Sequence, residues 1–493
     1  MGGVAALFSL LYTNRRSGNF FSHNEFMAKD FLEKAVAAVP SKRQLDWMKV
    51  EYAGLINFGM NTFSGREYGT GFEEVDLFNP TAYKPEQWVK IAKLSGMKAL
   101  VLNVKHHDGF CLWPTKYTDY SVKSCQWMDG EGDIVADISS LCAKHGLKFG
   151  ICISPLDLHE ESFGSGKEYD KFFMNLLTEL LTNYGELYCV RLDGATGEGK
   201  NGKVQQYDWS AYFKLIRRLQ PNAAITNCGP DVRWCGNDKG VCRISEWSVV
   251  PSHYRLFDEE TCEYVPSKYT PDYTQPDIGS VKKIKKFDEF IFYPAEVCVP
   301  LRDGWFYKKA QDLSIKPLSK LEKIYAGSVG ANGSMMVGLA PQPDGTMNDK
   351  DVETLMTFGA VLSLHFEDNL ALDSSMQGNC QLDELHSATR ALPDKQGYWH
   401  SGFKTKKPEL ILDMGDDYDV DRVVLKENIE TGQQIEEFTL YVEQEGKWKK
   451  VAEDTVIGTK RLCEFKYHFR TRRIRLVIEK HRGFATIQSF EAY

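Results

Sequence analysis

A (β/α)8-type α/β barrel followed by a β-sandwich is the architecture that this 493-residue sequence predicts. Three observations carry the prediction. From Leu55 to about Leu339, short apolar runs that end in polar or glycine-rich residues alternate with longer amphipathic segments. After "PQPDGTMNDKD" the pattern changes to short strand-like stretches with turns and no helices between them. No G-x-G-x-x-G follows the first apolar run, so the rival doubly wound sheet lacks its main signal.

In chain order the strand candidates are "AGLINFGMN", "KALVLNVKHHDGF", "LKFGICISPLD", "GELYCVRLDGA", "NAAITNCGPD", "GVCRISEWSVV", "EFIFYPAEVCV" and "GSMMVGLAPQPDG". Helices lie between several of them. "PEQWVKIAKLSGM" and "DIVADISSLCAKHGL" place apolar residues three and four apart and end at Gly, and "YDKFFMNLLTELLTNYG" ends at Gly185. One more helical stretch, "DVETLMTFGAVLSLHFE", leads into "PELILDMG", "DRVVLKEN", "EFTLYVEQ", "WKKVAED" and "RRIRLVIEK", the strands of the sandwich. The division expected is an extension over 1–44, the barrel over 45–345, a linker helix region over 346–375 and the sandwich over 376–493.

Composition excludes some classes. A formal net charge of -8 gives no general attraction to nucleic acid, and the four arginines of "FRTRRIRL" fit the exposed face of a strand. None of the twelve cysteines forms a C-x-x-C pair, and most sit in apolar runs such as "GICIS", a usage suited to a reducing compartment. The N-terminal "MGGVAALFSLLYTNRRSG" has its basic pair after the apolar stretch, shows no A-x-A site and is too short to span a membrane. No membrane partner is expected, and the cytoplasm is favoured over export.

The chemistry concentrates at strand ends. Side chains alternate along a strand, so the adjacent His106 and His107 in "VKHHDGFCLW" share a direction only if the chain is already leaving the sheet. In a barrel, groups placed there lie at the mouth. The same logic puts Asn57, Asp157, Asp193, Asp231 and Glu296 on that rim. Asp193, in "LDGATGEG", either caps a D-G turn or acts as an acid-base or nucleophilic carboxylate. Asp231, Asp238, Glu246 and Glu296 are candidates for a second carboxylate. A metal held by His106, His107, Asp108 and Asp193 is an alternative use of the cluster, although no H-E-x-x-H is present. Phe110, Trp113, Trp247 and Trp305 offer faces for a sugar, or serve as core.

Taken in order, "NTFSGREYGTG", "KHHDGFCLWPTKYTDYSV", "LDGATGEG" with "YDW" after it, "GPDVRW", "EWSVVP" and "PAEV" with "GWFY" after it resemble the α-L-fucosidases of glycoside hydrolase family 29. The resemblance is closest to the branch acting on α-1,3/1,4-linked fucose, and it runs from about residue 45 to 345. "HSATRALPD" with "GYWHSG" after it resembles a discoidin-type, galactose-binding-like sandwich. The resemblance implies a retaining, exo-acting hydrolase of fucosylated oligosaccharides or glycoconjugates that needs no cofactor and no metal. It implies Asp193 as nucleophile and Asp238, or else Glu246, as acid/base. Asn57, Glu67, Tyr68, His106, His107, Asp157, Arg233, Glu296 and Trp305 are then the sugar-binding set.

Four departures bear on specificity. The branch carries a glutamate in "GNE" where this chain has Asp238, one methylene shorter, in "GND". Asn57 stands where a histidine is usual, and "PLDLH" replaces "PWDRH" through Leu156 and Leu158. Cys298 follows Glu296 at a usually acidic position. A retaining glycosidase of changed sugar specificity, or a glycan-binding degenerate barrel, is the alternative outcome.

Overall fold

The computed structural model describes residues 23–237 and 239–493, with side chains from Asp30 onward. The N-terminal apolar stretch and Asp238 therefore lie outside the described residues. Barrel strands β1 (Tyr52–Ile56), β2 (Ala99–Lys105), β3 (Lys148–Ile153), β4 (Cys189–Leu192), β5 (Ala224–Asn227) and β6 (Arg233–Trp234) are followed by an antiparallel ribbon. The ribbon pairs β7 (Val249–Pro251) with β8 (Phe290–Phe292), and the barrel resumes with β9 (Ala295–Pro300) and β10 (Gly333–Leu339). Eight parallel strands run in the order β5-β4-β3-β2-β1-β10-β9-β6, a nearly closed barrel whose ends, β5 and β6, touch without a ladder.

Local chemistry sets the surrounding helices. Pro85 opens the helix Pro85–Leu94 at a position whose N–H would be unpaired in any case. The helix Ile134–His145 starts on the Asp133 carboxylate, which accepts the Ala136 N–H, and stops at Gly146 with φ +68°. The helix Asp349–His365 packs between Leu318–Ser328 and Pro85–Leu94, so it completes the outer ring. At the amino-terminal end of the strands, the helix Lys42–Met48 drives Trp47 and Met48 against Ala53, Ala99, Cys189, Ala224 and Met336, which closes the barrel floor.

The sixth strand differs from the expectation. "GVCRISEWSVV" contributes only β7 of the ribbon, and the barrel strand is the two-residue Arg233–Trp234. No helix joins it to β5. Asn227 adopts φ +67°, the chain doubles back, and the Asp231 N–H reaches the Ile225 carbonyl before β6 begins. A two-residue strand has no periodicity to read. "EFIFYPAEVCV" likewise splits into β8 and β9.

The sandwich consists of β11 (Ser375–Gly378), β12 (Trp399–His400), β13 (Glu409–Lys426), β14 (Ile435–Gln444), β15 (Lys447–Asp454), β16 (Arg461–His481), β17 (Thr486–Ile487) and β18 (Ser489–Ala492). "PELILDMG" and "DRVVLKEN" form one strand, β13, bent by register shifts after Asp413 and Val420. The arginines of "FRTRRIRL" are partnered: Arg470 with Asp419, Arg472 with Asp413, Arg473 with Glu443, and Arg475 between the rings of Tyr441 and Trp448. The sandwich docks beneath the barrel. Asn332, just before β10, accepts the Thr459 N–H at 2.7 Å, the Leu462 N–H reaches Gly330, and Lys460 pairs with Glu51, just before β1. That is the end opposite the mouth. No helix among the described residues is long and apolar enough to cross a membrane.

Candidate active site

The mouth is built on the end of β2. A register shift between Asn103 and Lys105 puts an extra residue into the ladder with β3, and the strand stops at Lys105. The following histidines therefore escape the alternation of a regular strand, and their rings lie 3.9 Å apart, centre to centre. The buried Lys105 anchors the loop below them, donating to the Leu156 carbonyl at 3.1 Å and pairing with Asp157 at 3.0 Å.

Each imidazole is oriented by one neutral partner. Asn61 Nδ2 donates to His106 Nδ1 at 3.0 Å, which leaves the ring proton on Nε2. His107 Nδ1 lies 2.7 Å from Ser154 Oγ, and that oxygen already accepts the Leu156 N–H, so its hydroxyl proton is free for Nδ1. His107 Nε2–H then points toward Asp193 Oδ2, 3.8 Å away. Burial, with the neighbouring His107 and Lys105, holds His106 well below the ordinary histidine range. Burial lowers His107 as well, against the pull of Asp193. Two neutral rings presenting N–H groups beside a carboxylate form a donor-acceptor set for hydroxyl groups.

Asp193 follows β4 directly, and its side chain remains 39% exposed. Its only hydrogen bond among the described residues is from the Ala195 N–H to Oδ1, at 3.2 Å. Donor atoms of His106, His107 and Asp193 all lie within 4.8 Å of one another. Asn61 places the His106 proton on Nε2, and a hydroxyl donated by Ser154 does the same for His107; N–H groups so placed bind hydroxyl oxygens. Tyr68, 65% exposed, stands over the pair with its ring within 14° of His107 at 5.8 Å and 26° of His106 at 6.3 Å. Phe306 meets His106 edge-on at 5.0 Å. The Trp305 indole covers Gly338, where a Cβ would lie 2.9 Å from Cε3 and Cζ3.

Other predicted residues are near the mouth but engaged with the protein. Glu67 Oε1 accepts the Trp305 N–H at 2.5 Å and Oε2 pairs with Lys308 at 3.1 Å, which latches the Tyr68 loop to the loop after β9. Asn57 is buried and accepts from Asn103 at 3.0 Å. Both oxygens of Asp157 are used, by Lys105 and by the N–H groups of His159 and Glu160.

Four residues are not where the linear pattern put them. Glu246 is fully buried between Arg233, at 2.6 Å, and Arg243, at 2.9 Å. Its backbone carbonyl accepts from Asn332 and Gln433, which places it beneath the barrel beside the sandwich. Burial alone would raise its carboxyl, yet the two guanidinium groups hold it below the usual glutamate value. Arg233 Nε donates to the Tyr293 carbonyl and Nη2 to that of Trp247, with the side chain fully buried away from the mouth. Asp231 is sealed against Arg217 and the Ile225 N–H. Glu296 is the second residue of β9, deep in the barrel, where it pairs with Arg191. A rim position requires the end of a strand, and these carboxylates lie at beginnings. Sequence reasoning missed Asn61, Ser154 and Arg191. Ser154 alone had a signal, since it directly follows an apolar run.

A family model described as Alpha-L-fucosidase matches residues 31–367, and one described as F5/8 type C domain matches residues 373–491. The chain is 36% identical over 455 residues to Alpha-L-fucosidase 1 of Arabidopsis thaliana, covering 91% of this chain and 86% of that one. It is 26% identical over 351 residues to Tissue alpha-L-fucosidase of Homo sapiens, covering 68% and 66%. A solved Ruminococcus gnavus GH29 fucosidase in complex with fucose matches at a TM-score of 0.81 and 27% identity, over 93% of this chain and 95% of that one.

Proposed function

This chain belongs to the α-L-fucosidase family of glycoside hydrolases, and from that premise we propose that it removes terminal α-linked L-fucose from fucosylated glycans by two displacements at Asp193. The observation that carries the proposal is the meeting of an exposed, lightly bonded carboxylate with two neutral, pre-oriented imidazoles. The Nε2–H groups of His106 and His107 donate to fucose hydroxyls, and Tyr68 and Trp305 offer faces to its apolar side. Asp193 attacks the anomeric carbon and forms a fucosyl ester as the glycosidic C–O bond breaks and the departing aglycone oxygen takes a proton from an acid side chain. The same acid, returned to its base form, then removes a proton from the water that cleaves the ester.

Asp238 is the proposed acid. Glu246, bound by two arginines below the barrel, is poorly suited to the task. The fitting test is turnover of a 4-nitrophenyl α-L-fucoside with NMR detection of the first sugar anomer. α-L-Fucose appearing first supports double displacement, and β-L-fucose appearing first sinks it.

The acid has its own test. Asp238→Ala is expected to keep turnover of a dinitrophenyl fucoside within about tenfold, because that leaving group needs little protonation, while an alkyl fucoside loses ~100-fold or more. Asp238→Glu restores the methylene, and misplacement on the order of 1 Å can cost ~100-fold. Faster hydrolysis of the alkyl fucoside by the glutamate variant is therefore expected. Equal losses on both substrates in Asp238→Ala would remove Asp238 from the role.

A further inference from the structure

The loop after β1 carries two exposed aromatic rings at the mouth. Tyr68 is 65% exposed and Phe72 70% exposed, and Phe72 joins no apolar cluster of the described residues. Burial alternates along this stretch, with Gly69 and Gly71 buried and the two rings outside. Both glycines face the protein. A Cβ on Gly69 would lie 2.6 Å from Asp108 Cβ, and one on Gly71 would lie 2.5 Å from the Leu158 carbonyl carbon. The loop is therefore laid across the loops that follow β2 and β3.

Phe72 sits on a pinned backbone. Thr70 and Gly71 donate their N–H groups to Glu73 at 2.8 and 3.0 Å, and the Gly71 carbonyl accepts from His159 Nδ1 at 2.7 Å. His159 stacks on Tyr120 at 4.1 Å, and the Tyr120 hydroxyl donates to Glu73. Gly71 has φ +77°, which strains any residue with a Cβ. These bonds turn the Glu73 carboxylate inward and leave the Phe72 ring outward. A single exposed ring needs no explanation. Here the first ring of the two roofs His106 and His107, so the second extends a surface that begins at the fucose pocket.

The row leads outward from that pocket. Phe72 follows Gly71, Gly71 abuts Leu158, and the Leu158 N–H donates to the His107 carbonyl at 2.9 Å. Four residues span at most about 14 Å, so both rings fall within the length of a short oligosaccharide. A site that removes terminal fucose holds one sugar in the pocket, and the sugar that carried it lies on the rim. A pyranose presents an apolar face of C–H groups, and a rigid aromatic ring suits such a face.

We propose that Phe72 is a specificity-determining residue, a platform for the penultimate sugar of the fucosylated glycan. The proposal rests on the fucosidase reading, and the substrates are chosen to separate the two. α-L-Fucosyl fluoride has no aglycone ring to stack. A set of trisaccharides carries α-L-fucose on different hydroxyls of a hexose or an N-acetylhexosamine. Phe72→Ala is expected to keep kcat/KM on the fluoride within about twofold and to lose about tenfold on the best trisaccharide, mainly through KM. Phe72→Trp keeps an aromatic face and stays near wild type on both.

Equal losses on fluoride and trisaccharide would make Phe72 a structural residue, and no loss on either would make it plain surface. Each overturns the proposal. If the wild type cleaves no trisaccharide, saturation-transfer NMR with the intact trisaccharides tests the platform instead, and failure on the fluoride as well sinks the fucosidase reading by itself. Saturation of the penultimate sugar's C–H protons in wild type, lost in Phe72→Ala, supports the platform. Saturation that survives the substitution, or that never reaches that sugar, overturns it.

Discussion

Asp193→Ala is expected to lower kcat/KM on an activated aryl α-L-fucoside by ~10^4-fold or more, the range seen when a catalytic nucleophile is removed. The loss is chemical rather than structural. The wild-type carboxylate is well exposed and, among the described residues, accepts one hydrogen bond, from the Ala195 N–H. Removing it therefore costs on the order of 1 kcal/mol of stability. The variant should melt within a few degrees of wild type, and circular dichroism melting checks this.

The space left by the carboxylate gives a sharper test. A small anion such as azide, supplied at high concentration, can attack the anomeric carbon from the face that Asp193 occupied. The expected product is β-L-fucosyl azide, with turnover partly restored. Full activity in Asp193→Ala would sink the assignment, and so would a rescued product with the α configuration.

The second large effect falls on stability. Glu246→Ala leaves Arg233 and Arg243 buried without their shared carboxylate, and breaking a buried ion pair in this way costs ~3–5 kcal/mol. Thermal melting at neutral pH should fall accordingly, while the folded fraction retains its turnover. The pH dependence has a definite sign. The folded carboxyl lies below the usual glutamate value, so its contribution is present above that value and is lost as pH falls through the folded one. Wild type and variant should therefore converge in melting temperature as the solution is acidified. An unchanged melting temperature with abolished alkyl-fucoside turnover would instead make Glu246 the acid.

The two experiments separate carboxylates that look alike in the linear chain. Asp193, Glu246 and Glu296 each stand near an apolar strand-like run. Their side-chain exposures are 39%, 1% and 2%, and that contrast follows from partners far away in the sequence. Arg191 and Glu296 are 105 residues apart. The carbonyl of Glu246 is bonded from Asn332 and from Gln433 in the second domain.

By itself the sequence determined the repeated strand-helix rhythm, the change to a sandwich, and the placement of His106, His107 and Asp193 at strand ends. Those features depend on local periodicity, which side-chain direction and burial impose residue by residue. Tertiary structure alone decided which strand closes the barrel, because β6 has two residues and β5 reaches it through a tight reversal. It also decided that Glu67 and Asp157 are spent on loops, that Glu246 and Asp231 are sealed among arginines, and that Glu296 pairs with Arg191. A charged side chain takes its role from the countercharge and the solvent that surround it, and both are assembled only when distant strands meet.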